Sequence, residues 1–279
     1  MHVTVAIPCY NGAQYLDKTI RSVLAQQRPA DKVLVVDDGS TDDSASIAAR
    51  YPVRTISLPT NQGLSAVRNR AVAETEGDVL AFVDVDASAD PAWLGTLLES
   101  YAEPDVSGAG GPGIESNIQS KVDRWRQLHA TQGHGSQPLR KAPHLFGLNM
   151  SYRVGALRAV NGFDTNLRTN AEDMDVGYRL NDAGYRLVYR PDAIVYHQRQ
   201  DDLASMEKTI YRWYYWAFVV KRKNGRNPWT LAAGTVRRLA WRDTAPDLLV
   251  RRDWELVKLD FRMAFAKLRG IRDASRAEL

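Results

Sequence analysis

In about 85 residues at the start of the chain, an apolar strand-like run alternates four times with a helical pattern, and this constrains the fold more than any other feature. "VTVAI" at 3–7 reads as a strand ended by Pro8, with Asn11-Gly12 as turn chemistry. Leu16, Ile20, Val23 and Leu24 then recur at the three-to-four-residue spacing of a buried helix face. "KVLVV" at 32–36 is the second strand, and Ser40 and Thr41 can cap a helix over 43–50. "VRTISL" is a third strand, "NQGLSAVRNRAVAET" a loop and helix, and "VLAFV" at 79–83 a fourth strand. Such alternation predicts an α/β fold, a mostly parallel sheet flanked by helices on both faces. Ligands of these sheets bind at the carboxyl ends of the strands. Tyr10, Asp37, Asp38, Asp84 and Asp86 all follow strands, so they are expected on one rim.

Beyond 90 the pattern loosens. A helix is expected over 91–101, a short strand breaking into a turn at "VSGAGGPGI", and a polar stretch over 115–145 with a helix near 117–130. "NMSYRVGALRAVNGFD" reads as strand and short helix, "EDMDVGYRLNDAGY" as a helix stopped by Gly184, and "RLVYRPDAIVYH" as two strands parted by Pro191. From Leu203 the chain reads as helical, with Leu203, Met206, Ile210, Trp213, Ala217 and Val220 on one face. Cys9 is the single cysteine, which rules out an intrachain disulfide, and with no signal-peptide pattern a cytoplasmic location is expected. No apolar run nears the roughly 20 residues that span a bilayer.

Several positions carry chemistry. In "VVDDGSTD", Asp37 and Asp38 can accept from a nucleobase, or equally serve turn formation and helix capping. Asp84 and Asp86 stand one residue apart at a strand end, where like charges repel and a hard divalent cation relieves them. A phosphatase with an aspartate nucleophile also uses this pattern, but after its first strand rather than about its fourth. Glu172 and Asp173 open a helix; read alone they are an ordinary acidic first turn, and with substrate against it Asp173 can act as a general base. His197 ends a strand and becomes a metal ligand only if the fold brings it near Asp86. "GAGGPG" neither follows the first strand nor opens a helix, and there is no phosphate-binding Gly-Lys-Ser/Thr loop, zinc spacing or G-x-S-x-G elbow.

Taken in order, "VAIPCYNGAQYLDKTIRSVLAQ", "VLVVDDGSTDDS", "NQGLSAVRNRAV", "FVDVDA", "GLNMSYRVGALRAVNGFD", "AEDMDVGYRLNDAGYRL" and "RPDAIVYH" resemble the family 2 glycosyltransferases of the GT-A fold. The resemblance implies transfer of a single sugar, with inversion, from a nucleoside-diphosphate sugar (UDP, dTDP or GDP) to an acceptor hydroxyl. The acceptor would be a glycan or a lipid-linked molecule of cell-envelope biosynthesis. It implies Mn²⁺ or Mg²⁺ as cofactor, and no nucleic-acid partner. By the same resemblance, Pro8 and Tyr10 line the base and ribose pocket, and Asp38 reads the base with Asp37 beside it. Arg68 contacts nucleotide or diphosphate. Asp86 and His197 hold the metal, and Asp84 touches the ribose or a metal-bound water. Asp173 is the catalytic base, with Glu172 and Asn149 near the sugar or acceptor. Polymer-forming members carry membrane helices and a Q-x-x-R-W motif after the base. Here "DRW" stands at 123–125, before Asp173, so transfer of one or few sugars is expected. The alternatives are a sugar nucleotidyltransferase, against which the first turn "PCYNGAQ" argues by lacking a glycine-rich basic loop, and a non-catalytic nucleotide-sugar-binding protein.

The expected division is a catalytic domain over 1–200, with a nucleotide half to about 110 and an acceptor half from 111, then a helical extension over 201–279. Residues 221–279 hold 15 Lys+Arg against 7 Asp+Glu, or +8, while 1–220 hold 22 against 26, or −4. In the extension, Val250, Trp254, Val257, Phe261, Ala264, Leu268 and Ile271 form one stripe, flanked by Arg251, Arg252, Lys258, Arg262 and Lys267. Such a helix can lie in the interface of a membrane's inner face, pack on the catalytic domain, or form a homodimer.

Overall fold

A computed structural model of the chain describes residues 1–277. It divides into two compact units, Met1–Ser116 with Gln132–Arg199, and Asn117–Thr131 with the chain from Gln200 onward. The first unit runs β1 (Val3–Cys9), α1 (Ala13–Leu24), β2 (Lys32–Asp37), α2 (Ser44–Ala48), β3 (Arg54–Ser57), α3 (Leu64–Glu74), β4 (Val79–Val83), β5 (Ala87–Ala89), α4 (Trp93–Glu99), β6 (Val106–Gly110) and β7 (Gly113–Glu115). The chain then gives α5 (Lys121–His129) to the second unit and returns with β8 (Asn149–Arg153), α6 (Val154–Ala159), α7 (Glu172–Asp182), β9 (Arg186–Tyr189) and β10 (Val195–His197).

A seven-stranded sheet has the order β3-β2-β1-β4-β8-β6-β9. β1 to β4 pair in parallel, and β8 runs antiparallel between β4 and β6. Alternation along the strands explains why both faces are covered. Val3, Val5 and Ile7 of β1 join a core with Leu16, Ile20 and Trp93, whereas Ala6 joins Leu34, Phe82 and Tyr152 on the other face. Pro8 does not end β1, as the sequence suggested; the strand runs on to Cys9, and Asp38 N–H still reaches the Cys9 carbonyl at 2.8 Å.

The two strands around Pro191 part company. β9 pairs with β6 in the large sheet, while β10 is the middle strand of a three-stranded sheet with β5 and β7. Its register sets His197 opposite both Ala87 and Glu115.

The second unit contains α5, α8 (Leu203–Lys223), α9 (Thr230–Arg238), α10 (Thr244–Leu249) and α11 (Trp254–Arg276). α5 belongs here, not to residues 1–200 as expected, because Trp125 is buried among Met206, Ile210, Leu256 and Met263 and its indole N–H donates to Asp260 Oδ1 at 2.8 Å. The "DRW" segment is thus core and cap: Asp123 completes a capping box with Ser120. α8 and α11 approach so closely that a Cβ on Gly270 would lie 2.5 Å from the Tyr211 carbonyl oxygen. Among the described residues no helix is long and apolar enough to cross a membrane.

Candidate functional site

The rim where β1, β2 and β4 end is tied together by short side chains. Asn11, at φ 48, accepts Thr41 N–H on Oδ1 at 2.8 Å and gives its own N–H to Ser40 Oγ at 2.9 Å. Gly12 and Ala13 N–H groups go to Ser44 Oγ and Asp42 Oδ2. These bonds lock the turn after β1 onto the turn after β2, and they leave Tyr10 half exposed at the edge. Pro8 is buried beneath it, opposite Val36.

Both carboxylates of the "DD" pair are buried. Asp37 Oδ1 accepts from the amide and hydroxyl of Ser40. Asp38 accepts Gln62 N–H at 2.7 Å and Gly63 N–H at 2.9 Å, one on each oxygen. Instead of facing outward to a base, Asp38 clamps the loop that leads into α3.

Arg68 is the largest departure from expectation. Its guanidinium is fully buried, so it does not offer itself to a nucleotide. One terminal nitrogen donates to Glu172 Oε1; the other donates to Asp84 Oδ1 at 2.9 Å and to the Gly147 carbonyl at 3.0 Å. Phe82 and Phe163 lie against it. Arg68 thus supplies the counter-charge of Asp84 and joins β4 to the start of α7. Gly147 is needed for this: a Cβ there would come within 2.8 Å of the Arg68 guanidinium. The Gly147 N–H donates to Asp173 Oδ2 at 2.8 Å, so one glycine positions both the arginine and the aspartate.

α7 begins under strain. Its N-cap, Ala171, has φ 65 and ψ 11, a left-handed conformation that costs an alanine roughly 1–2 kcal/mol. Glu172 and Asp173 follow at once. Glu172 points inward to Arg68, and burial pushes its carboxyl up, against the pull of that arginine; its Oε2 has no hydrogen-bond partner. Asp173 is half-buried, facing the rim.

Asp86 meets His197. The imidazole Nε2 is 3.3 Å from Asp86 Oδ2, and Nδ1 lies 3.0 Å from Glu115 Oε2 on the opposite side. A proton on Nδ1, directed at Glu115, puts the lone pair on Nε2, the side of Asp86. Glu115 had no sequence signal; it is found only because β7 pairs with β10. The side chains of Asp84 and Asp86 are 29% and 21% open to solvent. Burial and the neighbouring Asp86 push the Asp84 carboxyl up, while Arg68 and His197 pull it down. His197 and Asp86 bring an imidazole nitrogen and a carboxylate oxygen together at the rim, donor types that Mn²⁺ or Mg²⁺ accept.

Asn149 lies below this site. It is fully buried, accepting Trp93 Nε1–H at 2.7 Å and donating to the Pro112 and Ala193 carbonyls. Its amide nitrogen joins β8 to the turns after β6 and β9 and its oxygen to α4, so its side-chain polar atoms are engaged inside the fold.

In the second unit, His129, Asp247 and Asp260 each bring a donor atom within 4.8 Å of the others. His129 Nε2 is 2.9 Å from Asp247 Oδ2 and Nδ1 is 3.4 Å from Asp243 Oδ1. Arg251 also pairs with Asp247, and buried Lys267 lies close enough for Asp243 and Asp260 to act on its charge. Asp260 Oδ2 has no hydrogen-bond partner and burial pushes its carboxyl up, so this buried group combines ion pairs with a carboxylate that is not fully satisfied.

The comparisons with known proteins agree with one another. A family model described as glycosyl transferase family 2 matches residues 4–161. Pre-mycofactocin glycosyltransferase of Mycobacterium tuberculosis is 30% identical over 254 residues, covering 86% of this chain and 52% of that protein. The chain thus spans about half the length of this relative. Glucosyl-dolichyl phosphate glucuronosyltransferase of Haloferax volcanii is 25% identical over 242 residues, covering 80% of this chain and 77% of the relative. Among solved structures, the mannosyltransferase PcManGT of Pyrobaculum calidifontis in complex with GDP-Man and Mn²⁺ superposes with a TM-score of 0.68 at 18% identity, over 98% of this chain and 87% of that one. S. aureus TarS 1–349 in complex with UDP-GlcNAc gives 0.60 at 19% identity, over 98% and 89%. The fold is that of GT-A proteins.

Proposed function

Because the chain belongs to glycosyl transferase family 2, we propose that it moves a single sugar from a nucleoside-diphosphate sugar to an acceptor hydroxyl, with inversion at the anomeric carbon. The observation that carries this reading is the meeting of Asp86 with His197, backed by Glu115, beside Asp84 on the rim of a parallel sheet. Asp86 and His197 would hold a divalent cation, with Asp84 turned to the ribose or to a coordinated water. The cation supplies neutralising charge for the departing diphosphate. Mn²⁺ is the first choice, since the mannosyltransferase neighbour was solved with it.

The chain's own groups take the remaining roles. The nucleoside lies against Pro8, Tyr10 and the corner built by Asp37 and Asp38, with Asp38 acting by holding Gln62 and Gly63 in place. Asp173 accepts the proton of the acceptor hydroxyl as its oxygen bonds to the anomeric carbon and the bond to the diphosphate breaks. Its fixed Oδ2, its half-open position and its place next to Glu172 support that role. Arg68 and Glu172 are positioning residues beneath it. The acceptor is a glycan or a lipid-linked molecule of the cell envelope, and the Haloferax relative, named for a dolichyl phosphate substrate, favours the lipid-linked form.

The test is a panel of UDP-, dTDP- and GDP-sugars with Mn²⁺ or Mg²⁺, read as nucleotide release. One donor class turns over, and Asp173→Asn loses on the order of 10²–10⁴-fold in rate while still binding that donor. A chain that binds none of the panel with either metal contradicts the proposal.

A further inference from the structure

α11 has two faces of opposite fate. Leu256, Leu259, Met263 and Ala266 are buried on one side. On the other, Trp254, Phe261, Phe265 and Leu268 are exposed, at 65%, 57%, 66% and 38%. Their spacings of seven, four and three residues put them on a single line along the helix. The stripe expected from sequence is only half of it: Val257, Ala264 and Ile271 turn inward, and Lys267 is buried against Trp125 and Tyr214. An unpartnered line of three aromatic rings and a leucine in water is the mark of a contact surface.

What that surface would meet is indicated by its charge. Lys258, Arg262, Arg269 and Arg272 are exposed among or beside the rings; the first two and the last pair with Glu255, Glu207 and Asp273 at the surface, where exchange of a carboxylate for a lipid phosphate costs little. Of the seven acidic residues over 221–279, Asp243, Asp247 and Asp260 are buried in the network around His129, so the exterior of this stretch is more basic than its +8 sum. Phe261, Phe265, Arg262 and Arg269 also line a groove of about 410 Å³ with Glu207 and Ala266, setting guanidinium groups over apolar walls. The same unit exposes Trp241, Leu249 and Val250, the last beside exposed Arg251 and Arg252. A second copy of the chain would bring like charges together on this face. An anionic bilayer offers both the apolar boundary and the negative phosphates.

We propose that the exposed face of α11 docks on an anionic lipid surface. Trp254, Phe261, Phe265 and Leu268 enter the headgroup–acyl boundary, and the four basic side chains lie on lipid phosphates. Neither signal suffices alone, since stable attachment takes apolar insertion and charge together. The proposal deepens the lipid-linked acceptor reading but stands on α11 itself.

Co-sedimentation of the full chain with vesicles tests it, using phosphatidylcholine alone and phosphatidylcholine with about one third phosphatidylglycerol. Binding to the anionic vesicles is expected, weakening as salt is raised. Phe261→Ser with Phe265→Ser should lower partitioning at least about tenfold, and Arg269→Gln or Arg272→Gln about fivefold for each charge removed. All four positions are exposed, so circular dichroism should report unchanged folding. Nucleotide release without vesicles should also be unchanged, which separates failure of docking from failure of transfer. A chain left in the supernatant with anionic vesicles at low salt overturns the proposal, as does vesicle binding indifferent to the two phenylalanines. So does a dimer that these variants dissociate and that ignores vesicles, which would make the face an interface between copies.

Discussion

Among the described residues two histidine–carboxylate clusters stand out, and they differ in setting. Around His129, three aspartates are buried, with Arg251 pairing to Asp247 from the surface and Lys267 buried nearby. Around His197, Glu115 backs the ring and Asp86 stands before it at a solvent-facing rim, while the nearby guanidinium of Arg68 is taken by Asp84 and Glu172. Residue types alone do not separate a structural network from a ligand site. The separation is one of setting: the His129 cluster is buried within its unit, whereas Asp86 stands partly open at the carboxyl-end rim of the sheet.

Removing Arg68, the buried cation beneath the rim, should have the largest effect on stability. Arg68→Met leaves Glu172 buried without its cation, and the break should cost about 3–5 kcal/mol. Chemical denaturation measures this; a loss below about 1 kcal/mol would show that Glu172 is held neutral and needs no partner.

His129→Gln should cost less, about 1–3 kcal/mol, because Asp247 keeps Arg251. Burial opposes charge on His129, but Asp243, Asp260 and Asp247 outweigh it and raise its pKa above the ordinary 6.5. A raised folded pKa gives stabilisation that is complete below that value and fades as pH rises through the higher one. The wild type should therefore lose stability across this window on going alkaline, and His129→Gln should flatten the dependence. Equal slopes for the two proteins would place the charge elsewhere.

The smallest effect is at Ala171. Glycine adopts its left-handed conformation without the Cβ clash, so Ala171→Gly should raise stability by about 0.5–1 kcal/mol, the relief being partly offset by the freer unfolded chain. Thermal unfolding measures it, and a lower melting temperature would mean that the backbone there is not strained.

Much of this could be read in the sequence, because period and turn chemistry are local. The order of β1 to β4, the rim aspartates and the helix at Glu172–Asp173 all follow from short-range patterns. Long-range pairing was beyond them. Nothing in "RLVYRPDAIVYH" says that its two strands join different sheets, and Glu115 has meaning only through the register of β7 with β10. Arg68 in "AVRN" reads as an ordinary helical arginine until Gly147 and α7 close over it. In α11 the apolar residues occupy both sides of the helix, so periodicity could not tell the core-facing stripe from the exposed one; packing against α8 decides it.

The most direct test is Mn²⁺ binding followed by electron paramagnetic resonance in the presence of the nucleoside diphosphate that the donor panel selects. One Mn²⁺ per chain should bind to the wild type and to Asp247→Asn, and binding should fall sharply in Asp86→Ala and His197→Ala. Binding that survives both rim variants but disappears in Asp247→Asn would contradict the account, because the cation would then belong to the sealed cluster.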